Sequence, residues 1–303
     1  MGWRYSTFGV CHALALGAAL LLCVATARAD GTAIPHGTLE LVAENQWIAA
    51  GYTIHLGLRF QLEKGWHVYW VNPGDSGEPP RVKWQLPAGV TVGEVEWPTP
   101  RRLGTSTIVD FGYEDDLMLV VPMHADAPLA TQGLAQFGAE VKLLVCREMC
   151  IPGKAQLSLT LPVKSQPPVP DSRAADWFAA ARKALPQPAP ANWRVSGSDA
   201  VDAIVLTVKI GRQVTQATFF PLAESQVQDA APQQFAEVPG GFQLTLRKSD
   251  QLLKPIPRLK GVLVLQGDSG YIMDVPIRKA VAARGVAGNG TNQADSSKEG
   301  TQK

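Results

Sequence analysis

Residues 53–60 read Thr-Ile-His-Leu-Gly-Leu-Arg-Phe, a run in which apolar and polar side chains alternate. Alternation with a period of two predicts a β-strand that buries one face in a core and turns the other to solvent. Similar runs occur at 117–121 and 156–161, and turns rich in Gly and Pro, such as 72–74, separate them. Many short strands at this spacing, from residue 38 to 163, predict an all-β sandwich.

The second half of the chain predicts a linker, a short helix and a smaller second sandwich. Residues 166–170 hold three prolines, which stiffen a linker, and residues 173–185 carry the pattern of a short helix. Strand-like alternation then resumes, and the last residues have a polar composition typical of disorder. The predicted segments are a signal peptide at 1–29, a first sandwich domain at 30–165, a linker with a helix at 166–190, a second sandwich domain at 191–280 and a disordered tail at 281–303.

The N-terminal 29 residues have the three parts of a secretory signal peptide. Arg4 supplies an early positive charge, a run rich in Ala and Leu follows, and Ala27-Arg28-Ala29 is the small-residue pattern of a cleavage site. The alternative is a membrane anchor, but the apolar run is shorter than the roughly 20 residues of a spanning helix. We therefore expect export to the periplasm as a soluble protein.

Removal of that peptide would change both the charge and the number of cysteines. The full chain has 28 basic and 27 acidic residues, and cleavage would remove two arginines and no acid. A net charge this close to zero gives no reason to expect nucleic acid as a partner. Of the four cysteines in the chain, only Cys146 and Cys150 would remain.

Cys146 and Cys150 stand between a strand-like run, 141–145, and a Pro-Gly turn. Spacing alone leaves three interpretations open. A structural disulfide that closes so short a loop contributes only about 2 kcal/mol, a weak brace for a domain able to bury its own core. A redox pair gains from the short loop, because the neighbouring thiol rapidly resolves a mixed disulfide. Arg147, next to one thiol, would favour its thiolate form.

The third interpretation is a copper(I) site, in which both thiolates act with a His or a Met. The available side chains are His55, His67, His124 and Met149. Two functions other than redox exchange therefore stay open at this point. One is a copper-binding or copper-tolerance module, and the other is a non-redox binding module with a static disulfide.

Several motifs surround the cysteine pair in a fixed order. They are Gly-Trp-His-Val-Tyr-Trp-Val-Asn-Pro-Gly-Asp-Ser-Gly at 65–77, Trp-Gln-Leu-Pro-Ala-Gly-Val at 84–90, Trp-Pro-Thr-Pro at 97–100, Asp-Phe-Gly-Tyr-Glu at 110–114 and Leu-Val-Cys-Arg-Glu-Met-Cys-Ile-Pro-Gly at 144–153. With these motifs, residues 36–163 resemble the periplasmic N-terminal domain of DsbD-type protein-disulfide reductases, in the longer variant found in ScsB-like proteins. Beyond this region the resemblance rests on 219–222 and 230–233.

The resemblance implies two immunoglobulin-like β-sandwich domains, the first with a redox-active cysteine pair. In that family, electrons come from a membrane-embedded domain through a thioredoxin-like domain and pass to oxidised periplasmic proteins, such as disulfide isomerases and cytochrome c maturation factors. By position, Cys150 would form the mixed disulfide with partners and Cys146 would resolve it. We expect neither of the other two domains in this protein, and therefore expect a separately encoded membrane electron-transfer protein and thioredoxin-fold partners. No metal or other cofactor is expected.

The resemblance also assigns a cap and a lining to the pair. Phe111 stands where the family has an aromatic cap, with Asp110 beside it and Tyr113 as an alternate, and His67 and Tyr69 stand where aromatic rings underlie the site. Each assignment has a plainer alternative. Phe111 and Tyr113 would be core or edge aromatics, His67 and Tyr69 would be surface residues that share a strand face, and Asp110 would be a solvated acid. Trp66, Trp70, Trp84 and Trp97 are expected in the sandwich core.

Overall fold

The computed structural model describes residues 1–2, 31–104, 107–126, 129, 132–266 and 270–279. The predicted signal peptide, apart from its first two residues, and the predicted tail lie outside the described residues. Within them, no helix is long and apolar enough to cross a membrane.

The first half of the chain forms two antiparallel sheets. The described strands are β1 (Thr32–Ile34), β2 (Gly37–Ala43), β3 (Thr53–Leu62), β4 (His67–Gly74), β5 (Arg81–Gln85), β6 (Val90–Val92), β7 (Arg101–Gly104), β8 (Val109–Glu114), β9 (Asp116–Ala125), β10 (Gly133–Cys146) and β11 (Cys150–Val163). Sheet 1 has the order β1-β2-β3-β9-β6. Sheet 2 has the order β11-β10-β4-β8-β7, with β5 paired to β10.

The alternation in β3 explains how the two sheets hold together. Ile54, Leu56 and Phe60 have no exposed surface, and they share one core cluster with Val68 and Trp70 of sheet 2. Each such side chain contributes roughly 1.5–3 kcal/mol by leaving water. The core sits between the sheets, as the alternating pattern predicts.

The tryptophans expected in the core are found there. Trp66 and Trp70 are buried, and Trp84 and Trp97 are half-buried against the same cluster. Their rings therefore belong to the sandwich and do not form an exposed binding surface.

A single helix among the described residues, α1 (Ala175–Ala184), confirms the short helix predicted at 173–185. It packs on the outer face of sheet 1, in a cluster formed by Val42, Met118, Val120, Ala174, Phe178 and Ala181. Arg182 on the helix also forms an ion pair with Glu44. The segment after the first sandwich is thereby fixed to sheet 1 by both apolar and charged contacts.

The second half of the chain forms sheet 3 around its own core. Its described strands are β12 (Gln187–Pro188), β13 (Arg194–Asp199), β14 (Ala203–Lys209), β15 (Ala217–Pro221), β16 (Gln234–Val238), β17 (Gly241–Arg247), β18 (Arg258–Leu265) and β19 (Gly270–Lys279). The order is β15-β18-β19-β13-β14-β17-β16, with β12 beside β19. Because β19 pairs with β18 at its start and with β13 at its end, it joins the two parts of this sheet.

The core of the first sandwich extends to sheet 3. Phe220 belongs to the first core cluster, and its ring centroid lies 5.1 Å from that of Phe111 and 6.3 Å from that of Trp70. The Asn72 side-chain amide donates a hydrogen bond to the Pro221 carbonyl at 2.8 Å. The all-β, immunoglobulin-like fold class is confirmed, whereas the division into two domains at 165 and 191 stays a prediction.

Candidate redox site

The two cysteines lie at the tip of the β10–β11 hairpin. Cys146 is the last residue of β10, Cys150 is the first residue of β11, and the two are cross-strand partners joined by a disulfide with a Cα–Cα distance of 4.1 Å. Strand pairing along the whole hairpin brings the two sulfurs together, so the site is positioned by regular structure. Such a scaffold holds reactive groups more firmly than a free loop does.

The two sulfur-bearing residues differ sharply in exposure. Cys146 is only 2% exposed, whereas Cys150 and the three residues between them are exposed, Met149 at 68%. A partner approaching from solvent would therefore meet Cys150 first. Arg147 does not extend freely over the sulfurs, because its guanidinium lies 5.0 Å from the centre of the Trp66 ring in a cation–π contact.

Tyr69 lies beneath the exposed sulfur. Its hydroxyl is 3.2 Å from Cys150 Sγ, and a disulfide sulfur carries no proton, so the phenol is the donor in this contact. The pKa of Tyr69 is raised from 10.0 to about 12, mainly by burial; a hydrogen bond with Ser76 lowers it in part, and the nearby Asp110 carboxylate contributes to the rise. Tyr69 therefore keeps its proton at neutral pH and remains a hydrogen-bond donor.

The loop at the end of β4 covers Tyr69. Gly77 has a φ of 80°, and a Cβ at that position would lie 2.1 Å from the Tyr69 ring. Only glycine combines this left-handed backbone with so close an approach. The 65–77 motif thus contains a covering residue, Gly77, that the sequence interpretation did not single out. A Ser-Gly pair shortly after a strand marks a turn, and this is the local signal that could have indicated it.

His67 and Asp110 form a buried polar pair beside Cys146. His67 is the direct cross-strand partner of Cys146 on one side and of Glu114 on the other. Its Nε2 lies 3.6 Å from Asp110 Oδ2, and Asp110 Oδ1 accepts a 2.8 Å hydrogen bond from Ser76. The side chains of His67 and Asp110 are 7% and 11% exposed, so neither the surface alternative for His67 nor the solvated-acid alternative for Asp110 holds.

The alternation along β4 accounts for this arrangement. His67 and Tyr69 point to the site, and their rings meet edge to face at 5.2 Å. Val68 and Trp70 point to the sandwich core. Both faces of the strand are buried, so the strand supplies the site and the core at once.

The cap proposed for Phe111 does not fit its position. Phe111 is completely buried, and its ring contacts Trp70 and Phe220. Tyr113 is also buried, and its hydroxyl donates a 2.8 Å hydrogen bond to the Pro98 carbonyl. A movable lid must be a surface residue, and alternate residues of β8 turn to opposite faces. Phe111 and Tyr113 therefore face the core, whereas Asp110 and Glu114 of this motif lie on the face of β8 that turns to the site.

The two other histidines considered as metal ligands, His55 and His124, lie on the sheet that does not carry the cysteines. His55 on β3 pairs with Glu44 at 2.9 Å, and His124 on β9 pairs with the Thr53 hydroxyl at 2.7 Å, both on sheet 1. Throughout the part of the chain that the structure describes, no group of three or more His, Cys, Asp or Glu side chains is arranged to hold a metal ion.

Residues 38–162 match the family model described as "Thiol:disulfide interchange protein DsbD, N-terminal". This segment is a DsbD-type N-terminal domain. The match covers nearly the same residues as the motif-based resemblance at 36–163, which is thereby confirmed. It also supports thiol:disulfide interchange as the general chemistry of the DsbD-type domain.

One solved structure supports the fold described above. The N-terminal periplasmic domain of ScsB from Proteus mirabilis superposes with a TM-score of 0.60 at 16% sequence identity, covering 80% of this chain and 93% of that one. Domains 5–6 of the S-layer protein SbsC give a TM-score of only 0.20 at 12% identity, covering 81% of this chain and 100% of that one. No curated protein sequence matches the chain.

Proposed function

We propose that this protein exchanges disulfides with protein partners, as a protein-disulfide reductase, through Cys150 and Cys146. The observation that carries the proposal is the unequal exposure of two bonded cysteines on one hairpin, with Cys150 exposed and Cys146 only 2% exposed. An accessible sulfur can form a mixed disulfide with a partner, and a shielded sulfur four residues away can resolve it.

The exchange takes place in two steps, each of which breaks one disulfide bond and forms another. The Cys150 thiolate of the reduced protein attacks one sulfur of the partner's disulfide, and the partner's other sulfur leaves as a thiolate. Cys146 then loses its proton and attacks Cys150 Sγ, which breaks the bond to the partner and releases the partner's second thiolate. Two electrons pass to the partner, and the protein ends in the Cys146–Cys150 disulfide form.

Tyr69 would stabilise the attacking form of Cys150. A hydroxyl 3.2 Å from the sulfur donates its hydrogen to a thiolate more strongly than to a disulfide, because the thiolate carries a full charge. Since Tyr69 stays protonated at neutral pH, the hydrogen bond would be available throughout the exchange cycle.

We further propose that the protein works in the periplasm as an electron relay. Its donor would be a separately encoded membrane electron-transfer protein, and its acceptors would be thioredoxin-fold proteins. The DsbD family description, the signal-like N-terminal residues and the periplasmic origin of the similar ScsB domain support this proposal. The relay needs no cofactor, because the electrons move with the exchange of sulfur bonds.

A trapping experiment tests the exchange and the two roles. Reduced Cys146→Ala protein, mixed with an oxidised thioredoxin-fold protein, should accumulate a mixed disulfide, because the resolving thiol is gone. Cys150→Ala should accumulate little under the same conditions. The products are separated by non-reducing electrophoresis and identified by mass spectrometry. Trapping by Cys150→Ala alone would reverse the two roles, and trapping by neither variant would contradict the proposed function.

A further inference from the structure

The imidazole of His67 is an unusual buried group. Its Nε2 is inaccessible to solvent and has no hydrogen-bond partner, although Asp110 Oδ2 lies 3.6 Å away. Buried polar atoms are almost always hydrogen-bonded, and an exception calls for a specific reason. One such reason is that the ring gains a proton during a reaction. The charged ring then needs a carboxylate within ion-pair distance, which Asp110 provides.

The thiol of Cys146 is the source of a proton that the His67 ring could accept. Its thiol must ionise before it can attack Cys150, yet Cys146 is 2% exposed and water has little access to it. An ordinary thiol has a pKa of about 8.5, so most of it is protonated at neutral pH. His67 is directly opposite Cys146 on the neighbouring strand, and direct cross-strand partners have Cβ atoms only about 4.5–5.5 Å apart.

We propose that His67 is the proton acceptor for the resolving thiol, Cys146, and that Asp110 is the positioning residue that holds and stabilises its charged form. This inference rests on the proposed exchange function. Cys146 is then the nucleophile, His67 the base and Asp110 the group that orients the base. This is the usual arrangement in which a neighbouring base activates a weak nucleophile. With Nε2 directed to Asp110, Nδ1 is the nitrogen left to take the proton.

The proton and the electrons balance in the resolving step. The Cys146 thiol gives its proton to His67, and the resulting imidazolium faces the Asp110 carboxylate. The Cys146 thiolate forms a bond to Cys150 Sγ while the bond from Cys150 to the partner sulfur breaks. The partner leaves as a thiolate, which takes its proton from solvent or from His67. In the reverse direction, His67 returns a proton to Cys146 as that sulfur leaves.

Other titratable groups surround His67 and set the background for its pH dependence. Those that face it from its own strand and from the two neighbouring strands are Tyr69, Asp110, Glu114 and Cys146. Tyr69 keeps its proton in the neutral range, so it does not compete for the thiol proton. The contribution of Asp110 or Glu114 to the pH dependence can be tested by replacing each with its amide, and that of Cys146 by replacing it with Ala.

The test separates the two chemical steps. Reduced protein is mixed with one equivalent of dithiobis-nitrobenzoate in a stopped-flow instrument, and the released aromatic thiolate is followed by absorbance. The first phase reports attack by Cys150, and the second reports resolution by Cys146. At about pH 6.5, His67→Gln should slow the second phase about 10²-fold, and Asp110→Asn should slow it about 10-fold. The rate constant of the second phase divided by that of the first should fall in both variants, which assigns the effect to the resolving step.

The pH profile and a matched control make the result specific. The difference between His67→Gln and the wild type should shrink above about pH 9, where solvent hydroxide can remove the thiol proton. His55→Gln is the control, because His55 also pairs with a carboxylate but lies on sheet 1. A second phase that is unaltered in His67→Gln, or slowed equally at every pH, would overturn the inference. Absence of both phases in the wild type would instead contradict the proposed function.

Discussion

At the scale of single residues, Tyr69 is the contact most directly open to test. Tyr69→Phe keeps the ring and removes the hydroxyl that lies 3.2 Å from Cys150 Sγ. Loss of one hydrogen-bond donor should make the Cys150 thiolate less stable by about 1.4 kcal/mol, because hydrogen bonds to charged groups are the strong ones. Alkylation of the reduced protein by iodoacetamide near pH 7 should therefore slow about 10-fold.

Tyr52 provides the control for this substitution. It is an exposed tyrosine directly before β3 of sheet 1, whereas the cysteines lie on sheet 2. Tyr52→Phe should leave the alkylation rate of Cys150 unchanged. If Tyr69→Phe alkylates as fast as the wild type across the whole pH range, the hydroxyl does not stabilise the thiolate.

The residues of the site were only partly predictable from the sequence. Cys146, Cys150, His67 and Tyr69 carry recognisable positions in motifs, and all four meet at the hairpin tip. Ser76 was not predicted, because a hydroxyl in a turn is usually solvated and nothing local shows that it reaches Asp110. Contacts between side chains 34 residues apart depend on how the strands are aligned.

At the scale of elements, β8 decides the role of Phe111. Truncation of a completely buried phenylalanine removes its packing against Trp70 and Phe220 and leaves a cavity. Phe111→Ala should therefore lower the free energy of unfolding by about 3–5 kcal/mol. The alkylation rate of Cys150, measured under native conditions, should stay close to that of the wild type.

Ile108 offers a contrast immediately before the same strand. It is 53% exposed, so Ile108→Ala should change the free energy of unfolding by no more than about 0.5 kcal/mol. Both variants are compared by denaturant midpoint and alkylation rate. Faster alkylation of Phe111→Ala with little loss of stability would restore the cap role to Phe111.

Strands and the helix were easier to predict than their alignment. Alternation in β3 and the apolar side of α1 are local patterns, and both elements form where the sequence predicts them. The alignment of β4 with β8 and β10 is a long-range property, and an irregularity in the β4–β8 pairing falls between Tyr69 and Gly74. A shift of one residue exchanges the two faces of a strand. For this reason, the sequence alone does not predict whether the Phe111 side chain faces the core or the site.

At the scale of the whole molecule, the two halves share apolar and polar contacts. Sequence patterns predicted a proline-rich linker and separate sandwiches, yet Phe220 joins the first core and Arg102 donates a 2.9 Å hydrogen bond to the Asp229 carbonyl. Single residues such as these carry no local signal of a distant partner. Contacts between sequence-distant surfaces are decided by shape, which a one-dimensional pattern does not record.

Asp229 makes this junction sensitive to pH. It is 7% exposed, and its Oδ1 has no hydrogen-bond partner. Burial raises the pKa of Asp229 from 3.8 to about 7, the Asp75 and Glu224 carboxylates add to the rise, and Arg102 partly offsets it. The folded protein therefore holds a proton on Asp229 over a pH range in which the unfolded chain has already released it.

The sign of the effect follows from proton binding. Between about pH 4 and pH 7 the folded state binds more protons at this position than the unfolded state, so the free energy of unfolding falls as the pH rises. Asp229→Asn removes this contribution and should raise the denaturant midpoint at pH 7–8 relative to wild type, with little difference near pH 4. Asp250→Asn, at an exposed aspartate of the same half, should show no such divergence. If the Asp229→Asn and wild-type midpoints run parallel from pH 4 to pH 8, the carboxyl is ionised throughout this range, and the junction tolerates its charge.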